Sequence, residues 1–151
     1  MTLRLNQTSR AWIAGLFDGE GCVTTQKGKH GPRVRVVLGM THKETVKKLH
    51  NYFGGSFREV IRNNDKHKNY FVWTITPPRC YSFLEAIEPF SVTKKRQIQV
   101  GLKFKELAVN PKTGDRYWGA TPPTPRTKKA RTNLGQRLKR LNVRGKKQGE
   151  K

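Results

Sequence analysis

Apolar residues along this chain alternate between two periods, and the switches mark its elements. Trp12, Ile13, Leu16 and Phe17 recur at helical spacing, with Ser9 placed to cap the helix and Gly19 and Gly21 placed to end it. Val23 to Lys27 and Val34 to Met40 have the two-residue period of strands, joined by the turn-rich Gly28-Lys29-His30-Gly31-Pro32. Thr41-His42-Lys43-Glu44 has the Thr-x-x-Glu spacing of a capping box. It opens a helix with Val46, Leu49 and Phe53 on one face, stopped by Gly54-Gly55. Ser56 to Arg62 and Tyr70 to Thr76 predict a second hairpin, and Pro77-Pro78 ends it. A short helix through Cys80, Leu84 and Ile87 follows, then a longer one from about Lys95 to Leu107. The order α-β-β-α-β-β-α-α predicts an α+β domain, with four antiparallel strands backed by helices.

The strands have unlike faces. Val34, Val36, Leu38 and Met40 alternate with Arg33, Arg35, Val37 and Gly39, so one face is apolar and the other presents arginine. In the second hairpin Phe57 and Ile61 alternate with Arg58, Val60 and Arg62, while Glu59 falls inward or at the edge. A solvated strand face normally mixes charge signs. This one is purely basic, and such a sheet can lie in a major groove with arginine pairing to guanine. The period selects Thr24, Gln26, Arg33, Arg35 and Val37 in the first hairpin, and Arg58, Arg62, Lys68 and Tyr70 in the second, as DNA-facing; a bulge would shift the register, so the faces of Asn69 to Trp73 stay open.

Charge strengthens that reading. There are 32 Lys and Arg against 10 Asp and Glu in 151 residues, a net +22. Such an excess favours a polyanionic partner. No apolar run approaches the ~20 residues of a membrane span, and the first residues have no signal-peptide core, so double-stranded DNA is the expected partner and a membrane is not. Cys22 and Cys80 lie in no metal-ligand spacing, as expected of reduced thiols in an intracellular protein. The folded domain is expected over 1–110, a Pro/Gly-rich linker over 111–125, and a basic tail over 126–151. Eleven of the tail's residues are Lys or Arg and one is acidic. Leu134, Leu138 and Leu141 at helical spacing there leave two readings open, a disordered phosphate-binding arm or a short helix on the partner.

Against this basic background two carboxylates crowd the end of the first helix. Gly15 and Gly19 share one helical face, with Ala14 beside them. Each glycine costs about 1 kcal/mol relative to alanine inside a helix, so the pair points to close approach of another backbone. The chain has one such segment, so the partner face is expected from a second copy, with Ala14, Gly15, Asp18 and Gly19 at a two-fold interface. The alternative is a helix of the same chain packed on those glycines. A helix C-terminus carries partial negative charge, which a carboxylate aggravates unless a cation compensates. Asp18, Glu20 and the Gly19 carbonyl are a plausible hard-oxygen site for Mg²⁺, which takes one or two carboxylates and completes its shell with water and phosphate.

Ile13-Ala14-Gly15-Leu16-Phe17-Asp18-Gly19-Glu20-Gly21 resembles the LAGLIDADG motif of homing endonucleases, position by position in apolar, small and acidic class. The element order fits the same family over residues 9–107. The resemblance implies a LAGLIDADG endonuclease-like core and a homodimer of the single-motif type. It implies sequence-specific double-strand DNA cleavage with Mg²⁺, Mn²⁺ or Ca²⁺ substituting for binding. By the same resemblance Glu20 is the essential metal-binding acid, assisted by the Gly19 carbonyl. Many members have Asp there, and Glu is longer by one methylene. Asp18 is assigned to the helix end and interface. Met40-Thr41-His42-Lys43 looks like the segment that sets a polar residue, here His42, near the nucleophilic water. The stretch Pro89 to Gln97 looks like the one that delivers a lysine, by match Lys94, with Lys95 or Arg96 one step away and a plain phosphate clamp as the alternative role; Lys95 is also expected on DNA.

Strands of ~8 residues at ~3.3 Å each reach ~26 Å. With base pairs rising ~3.4 Å, a dimer would read a pseudo-palindrome on the order of 15–20 pairs. A second function class is a non-catalytic nucleic-acid-binding module, such as an intron RNA maturase or a DNA-binding regulator, with intron RNA as partner. A basic ribosome-associated protein would explain the charge but not Gly15-x-x-x-Gly19 and the carboxylate after it.

Overall fold

The computed structural model describes residues 5–63, 66–109 and 122–143. Its elements run α1 (Gln7–Glu20), β1 (Gly21–Gln26), β2 (Arg33–Met40), α2 (Lys43–Phe53), β3 (Ser56–Val60), β4 (Tyr70–Ile75), α3 (Arg79–Ile87), α4 (Lys95–Glu106) and α5 (Pro125–Leu141). The strands form one antiparallel sheet in the order β1-β2-β4-β3. The predicted α+β architecture is therefore the observed one. The strands β1 and β2 start one or two residues earlier than the alternating patterns suggested, and β3 and β4 end one or two residues sooner. Two helix caps also move: Asn6, not Ser9, caps α1 by accepting from the Ser9 N–H, and His42, not Thr41, caps α2. The helices start accordingly, α1 three residues earlier and α2 one residue later, and each cap accepts from the N–H three residues on.

Register settles the two faces. Val23 pairs with Val36 and Leu38 with Trp73, and all four are buried under the helices. Thr24 pairs with Arg35, Gln26 with Arg33, and Val60 with Tyr70 on the opposite face. The alternation of Arg33, Arg35 and Val37 is as expected, as is Arg58 outward on β3. Glu59 lies on the helix side of this edge strand and remains exposed, accepting from Asn69 Nδ2 at 3.1 Å. At the centre of the core Trp73 meets Phe53 and Phe83, and Phe17 meets Phe83 edge-on. The indole N–H, which burial would otherwise leave unpaired, donates to the Gly54 carbonyl at 2.7 Å. Gly54 and Gly55 supply the positive φ that this turn requires, and a Cβ on Gly55 would stand 2.4 Å from the Thr74 carbonyl oxygen.

The described part of the basic segment, residues 126–143, packs against the domain instead of trailing from it, and residues 144–151 lie outside the described residues. Its α5 lies along α4 and β1, with Leu138 fully buried. Arg131 donates to the Leu107 carbonyl, Asn142 Nδ2 to the Val23 carbonyl, and Gln97 Nε2 to the Leu141 carbonyl. Leu134, Leu138 and Leu141 thus serve the domain's own core, which corrects the reading of this stretch as a separate arm. Of the expected linker, residues 111–121 lie outside the described residues. Among the described residues no helix is long and apolar enough to cross a membrane. Cys22 and Cys80 form no disulfide, and burial pushes the Cys80 thiol up to about 12.

Helix α1 passes into β1 with no intervening loop, and this junction sets where Glu20 stands. The junction depends on Gly21, whose backbone N–H caps α1 by donating to the Phe17 carbonyl. The Phe17 ring lies directly over Gly21, where a Cβ would meet it at 2.0 Å. That ring is fully buried and has nowhere to go. Gly21→Ala is expected to lower unfolding free energy in urea by about 1–3 kcal/mol, as overpacking does; an unchanged midpoint would show that the junction has slack.

Candidate active site and DNA-facing sheet

Asp18 and Glu20 are two residues apart on α1 and have separate fates. The Asp18 carboxylate turns toward the segment that leads into α4. It accepts from the Ser91 hydroxyl and from the backbone N–H groups of Val92 at 2.7 Å, Thr93 at 3.3 Å and Lys94 at 3.1 Å. Lys94 sits at the N-cap of α4, where its own side chain caps nothing. Asp18 therefore holds, from another helix, the turn that leads into α4. Its charge is unfavourable at the C-terminus of α1 but favourable at the N-terminus of α4. Burial alone would raise its pKa, but the bonds from Ser91, Val92, Lys94 and Thr93 together outweigh that and hold it below the usual carboxylate value.

The Asp18 carbonyl, one of the unpaired groups at the end of α1, accepts from Lys94 Nζ at 2.7 Å and from Thr93 Oγ1 at 3.2 Å. Lys94 is thereby brought to the helix end that carries Gly19 and Glu20, as its match to the family's lysine segment implies. Sequence reading missed Ser91 and Thr93 as members of this cluster. The available signal was two hydroxyl residues just before a helix lacking its own cap, together with a carboxylate misplaced at a C-terminus.

Glu20 and Gly19 are exposed, one residue before the sheet begins. The Glu20 carboxylate has no hydrogen-bond or ion-pair partner among the described residues. Nor do three or more His, Cys, Asp and Glu converge anywhere among them. One chain thus offers a single available carboxylate at a C-terminal helix end, with hard oxygen donors nearby. That set fits a cation such as Mg²⁺ only as part of a shell, with water, phosphate and a second copy providing the rest.

Gly15 and Gly19 form an open face: a Cβ on either would meet nothing within 4 Å. The alternative of a same-chain helix packed on these glycines therefore finds no support among the described residues. Trp12, 44% exposed, stands on the same stripe with Lys48 Nζ 5.0 Å above its ring. Ala14 does not belong to this face. One residue from Gly15 is about 100° around the helix, and Ala14 is fully buried in the chain's own core. Asp18, also expected at the interface, is occupied by Ser91 to Lys94.

His42 is placed less simply. Its Nδ1 lies 2.8 Å from Thr45 Oγ1 and accepts from the Thr45 N–H at 3.3 Å, so the ring caps α2. Among the described residues it makes no hydrogen bond with Glu20 or Lys94. Lys95, expected on phosphate, pairs with Glu88 at 3.8 Å. On the sheet, Thr24, Gln26, Arg33, Arg35, Val37, Arg58 and Tyr70 share the face away from the helices. Arg62 lies just beyond β3 with its guanidinium 4.8 Å from the Tyr70 ring centroid. Lys68 is exposed in the connection before β4.

A family model of the LAGLIDADG-like domain matches residues 7–88, more than half of the chain, and the chain belongs to that family. Solved structures agree on the fold. The homing endonuclease I-CvuI in complex with its target, in the presence of Ca, has 20% identity and a TM-score of 0.69, over 93% of this chain and 85% of that one. The archaeal intron-encoded homing endonuclease I-Vdi141I complexed with DNA has 15% identity and a TM-score of 0.68, over 95% of this chain and 89% of that one. The meganuclease I-SmaMI bound to uncleavable DNA has 16% identity and a TM-score of 0.56, over 91% of this chain but only 45% of that one. No curated protein matches the sequence.

The lowered pKa of Asp18 has a definite sign. Its contribution is present above the usual carboxylate value, about 4, and is lost as pH falls through the lower folded value. Asp18→Asn should lose on the order of 1 kcal/mol at neutral pH, discounted for partial exposure. The gap from the parent should stay level above about pH 5 and close below about pH 4. A gap that widened with acid would reverse this assignment.

Proposed function

We propose that this chain is a sequence-specific DNA endonuclease that works as a homodimer and hydrolyses both strands of a pseudo-palindromic duplex with divalent metal ions. One observation carries the reading. An uncommitted carboxylate, Glu20, stands at the end of an open glycine face, with Lys94 fastened beside it and a basic sheet beginning one residue later. A nuclease of this kind needs these parts in one place.

Two-fold packing of the Gly15/Gly19 faces would bring the two Glu20 carboxylates to a shared axis. The partial coverage of I-SmaMI supports this. A chain that spans under half of that protein and has one such motif reaches a comparable architecture by pairing. Glu20 and the Gly19 carbonyl would hold Mg²⁺, with Mn²⁺ or Ca²⁺ able to support binding. The chemistry a bound ion supplies there is activation of water and relief of charge on the leaving oxygen. The chain's own groups do the rest. Lys94 offers positive charge to the phosphate while its Nζ rests on the Asp18 carbonyl. Asp18 fixes that lysine through the backbone. The outer sheet fixes the duplex in register before any bond is broken. His42, which caps α2 through Nδ1, retains Nε2 for the solvent around the site.

The reading is tested with duplexes recovered from a randomised pool in Ca²⁺ and then transferred to Mg²⁺. Wild type should cut both strands. Glu20→Gln should bind the same duplexes within a few-fold and cut none; retained cutting would remove Glu20 from the metal site. Binding to structured intron RNA with no duplex cleavage by wild type would favour a maturase instead. Gly15→Arg should keep the fold, because the site is open, yet sediment as a monomer and lose cleavage. A Gly15→Arg protein that still sedimented as a dimer would rule out this face as the interface.

A further inference from the structure

The strand register grades the outer face by distance from the cut. Gly21, which follows Glu20, pairs with Leu38, so the near end of the sheet is where β2 finishes. Met40 pairs with Phe71 and Val60 with Tyr70, which puts the β3–β4 end of the second hairpin at the same near end. Gln26 and Arg33 pair at the far end.

At the near end the outer face carries an unusual stack. Gly39 leaves the strand surface bare, and the Tyr70 ring fills the space: a Cβ on Gly39 would stand 2.7 Å from the tyrosine Cε2. The Arg62 guanidinium lies 4.8 Å from the centroid of that ring. The arginine backbone is held as well. Its N–H donates to Asn69 Oδ1 at 3.2 Å, and Asn69 Nδ2 donates to Glu59 Oε1 at 3.1 Å. Arg62 is thus fixed at both its backbone and its head, although it is exposed and lies past the last paired residue of β3. An exposed arginine is ordinarily a freely rotating side chain whose ordering opposes binding. A guanidinium stacked on a ring keeps the edge of its plane, with its N–H fork, open to an acceptor pair.

Resting on the DNA-recognition reading above, we infer that Arg62 is a preformed guanine reader for the base pairs nearest the cut, and that Tyr70, seated on Gly39, is its positioning residue. Guanine presents O6 and N7 in the major groove at the spacing of the arginine fork. A phosphate can also accept that fork, but its tetrahedral oxygens accept it from many directions and require no one fixed plane. The stack therefore serves base choice more than attraction.

The experiment recovers sequences bound by the full-length protein from a randomised duplex DNA pool in Ca²⁺ and compares base frequencies. Wild type should enrich guanine at one near-centre position of each half-site. Arg62→Ala should lose that preference about ten- to a hundred-fold, with the other positions unchanged. Arg62→Lys keeps the charge without the fork and should lose the same preference while retaining the salt dependence of binding. Tyr70→Phe should keep the preference, since the ring remains. Tyr70→Leu should lose it as Arg62→Ala does, and the double variant Arg62→Ala/Tyr70→Leu should lose no more. A melting temperature for each variant checks that it is folded. An unchanged base profile in Arg62→Ala, or a uniform loss over all sequences with reduced salt dependence, would overturn the assignment of Arg62. A preference retained by Tyr70→Leu would overturn the role of Tyr70. Failure of wild type to enrich any sequence would instead overturn the DNA-recognition reading beneath both.

Discussion

The carboxylate of Asp18 closes onto the backbone N–H groups of Val92, Thr93 and Lys94, and the placement of the candidate active site follows from that contact. It joins the end of α1 to the start of α4 across more than seventy residues of sequence. It resolves two electrostatic problems together, because a negative group at a helix C-terminus is moved to serve a helix N-terminus. It also brings Lys94 back onto the Asp18 carbonyl. With Asp18 so engaged, Glu20 is the one carboxylate of the motif left to face a cation. The two acids look equivalent in the sequence and differ entirely in what they touch.

A second constraint acts at Gly21. Because the Phe17 ring covers this residue, α1 turns directly into β1, and Glu20 is held one residue from the sheet. The candidate site and the basic outer face of the sheet are therefore joined without an intervening loop. The glycines at 15 and 19 have a different purpose, since no atom of the chain's described residues fills the space above them. They leave room for another backbone, and the described residues supply none.

Much of this was legible in the sequence where the physics is local and repeated. Two-residue alternation assigned the faces of the first hairpin and of β3, because a strand that buries one face has no other register available, while the register of β4 came only from its pairing. The motif's apolar and small positions located α1, and the misplaced carboxylates drew attention to its end. What was not legible depended on single residues or on distant ones. The caps at Asn6 and His42 lie three residues before Ser9 and one after Thr41, and side chains with an acceptor atom at both places gave no way to choose between them. Ala14 looked like part of the glycine face but points 100° away from it. Helix α5 was open to two readings, an arm or a helix on the partner, because its three leucines are outnumbered by charge, yet Leu134, Leu138 and Leu141 pack it against the domain's own core. The partners of Asp18 lie in a loop whose own pattern says nothing about α1.

The central claim is that one chain holds half of a site and that a second copy completes it across the Gly15/Gly19 face. Native mass spectrometry of the protein on a recovered duplex in Ca²⁺ tests it most directly, since each chain contributes 17.4 kDa. The account predicts two chains on each duplex that is later cut on both strands when Mg²⁺ replaces Ca²⁺. One chain on a duplex that is nevertheless cut on both strands would contradict it.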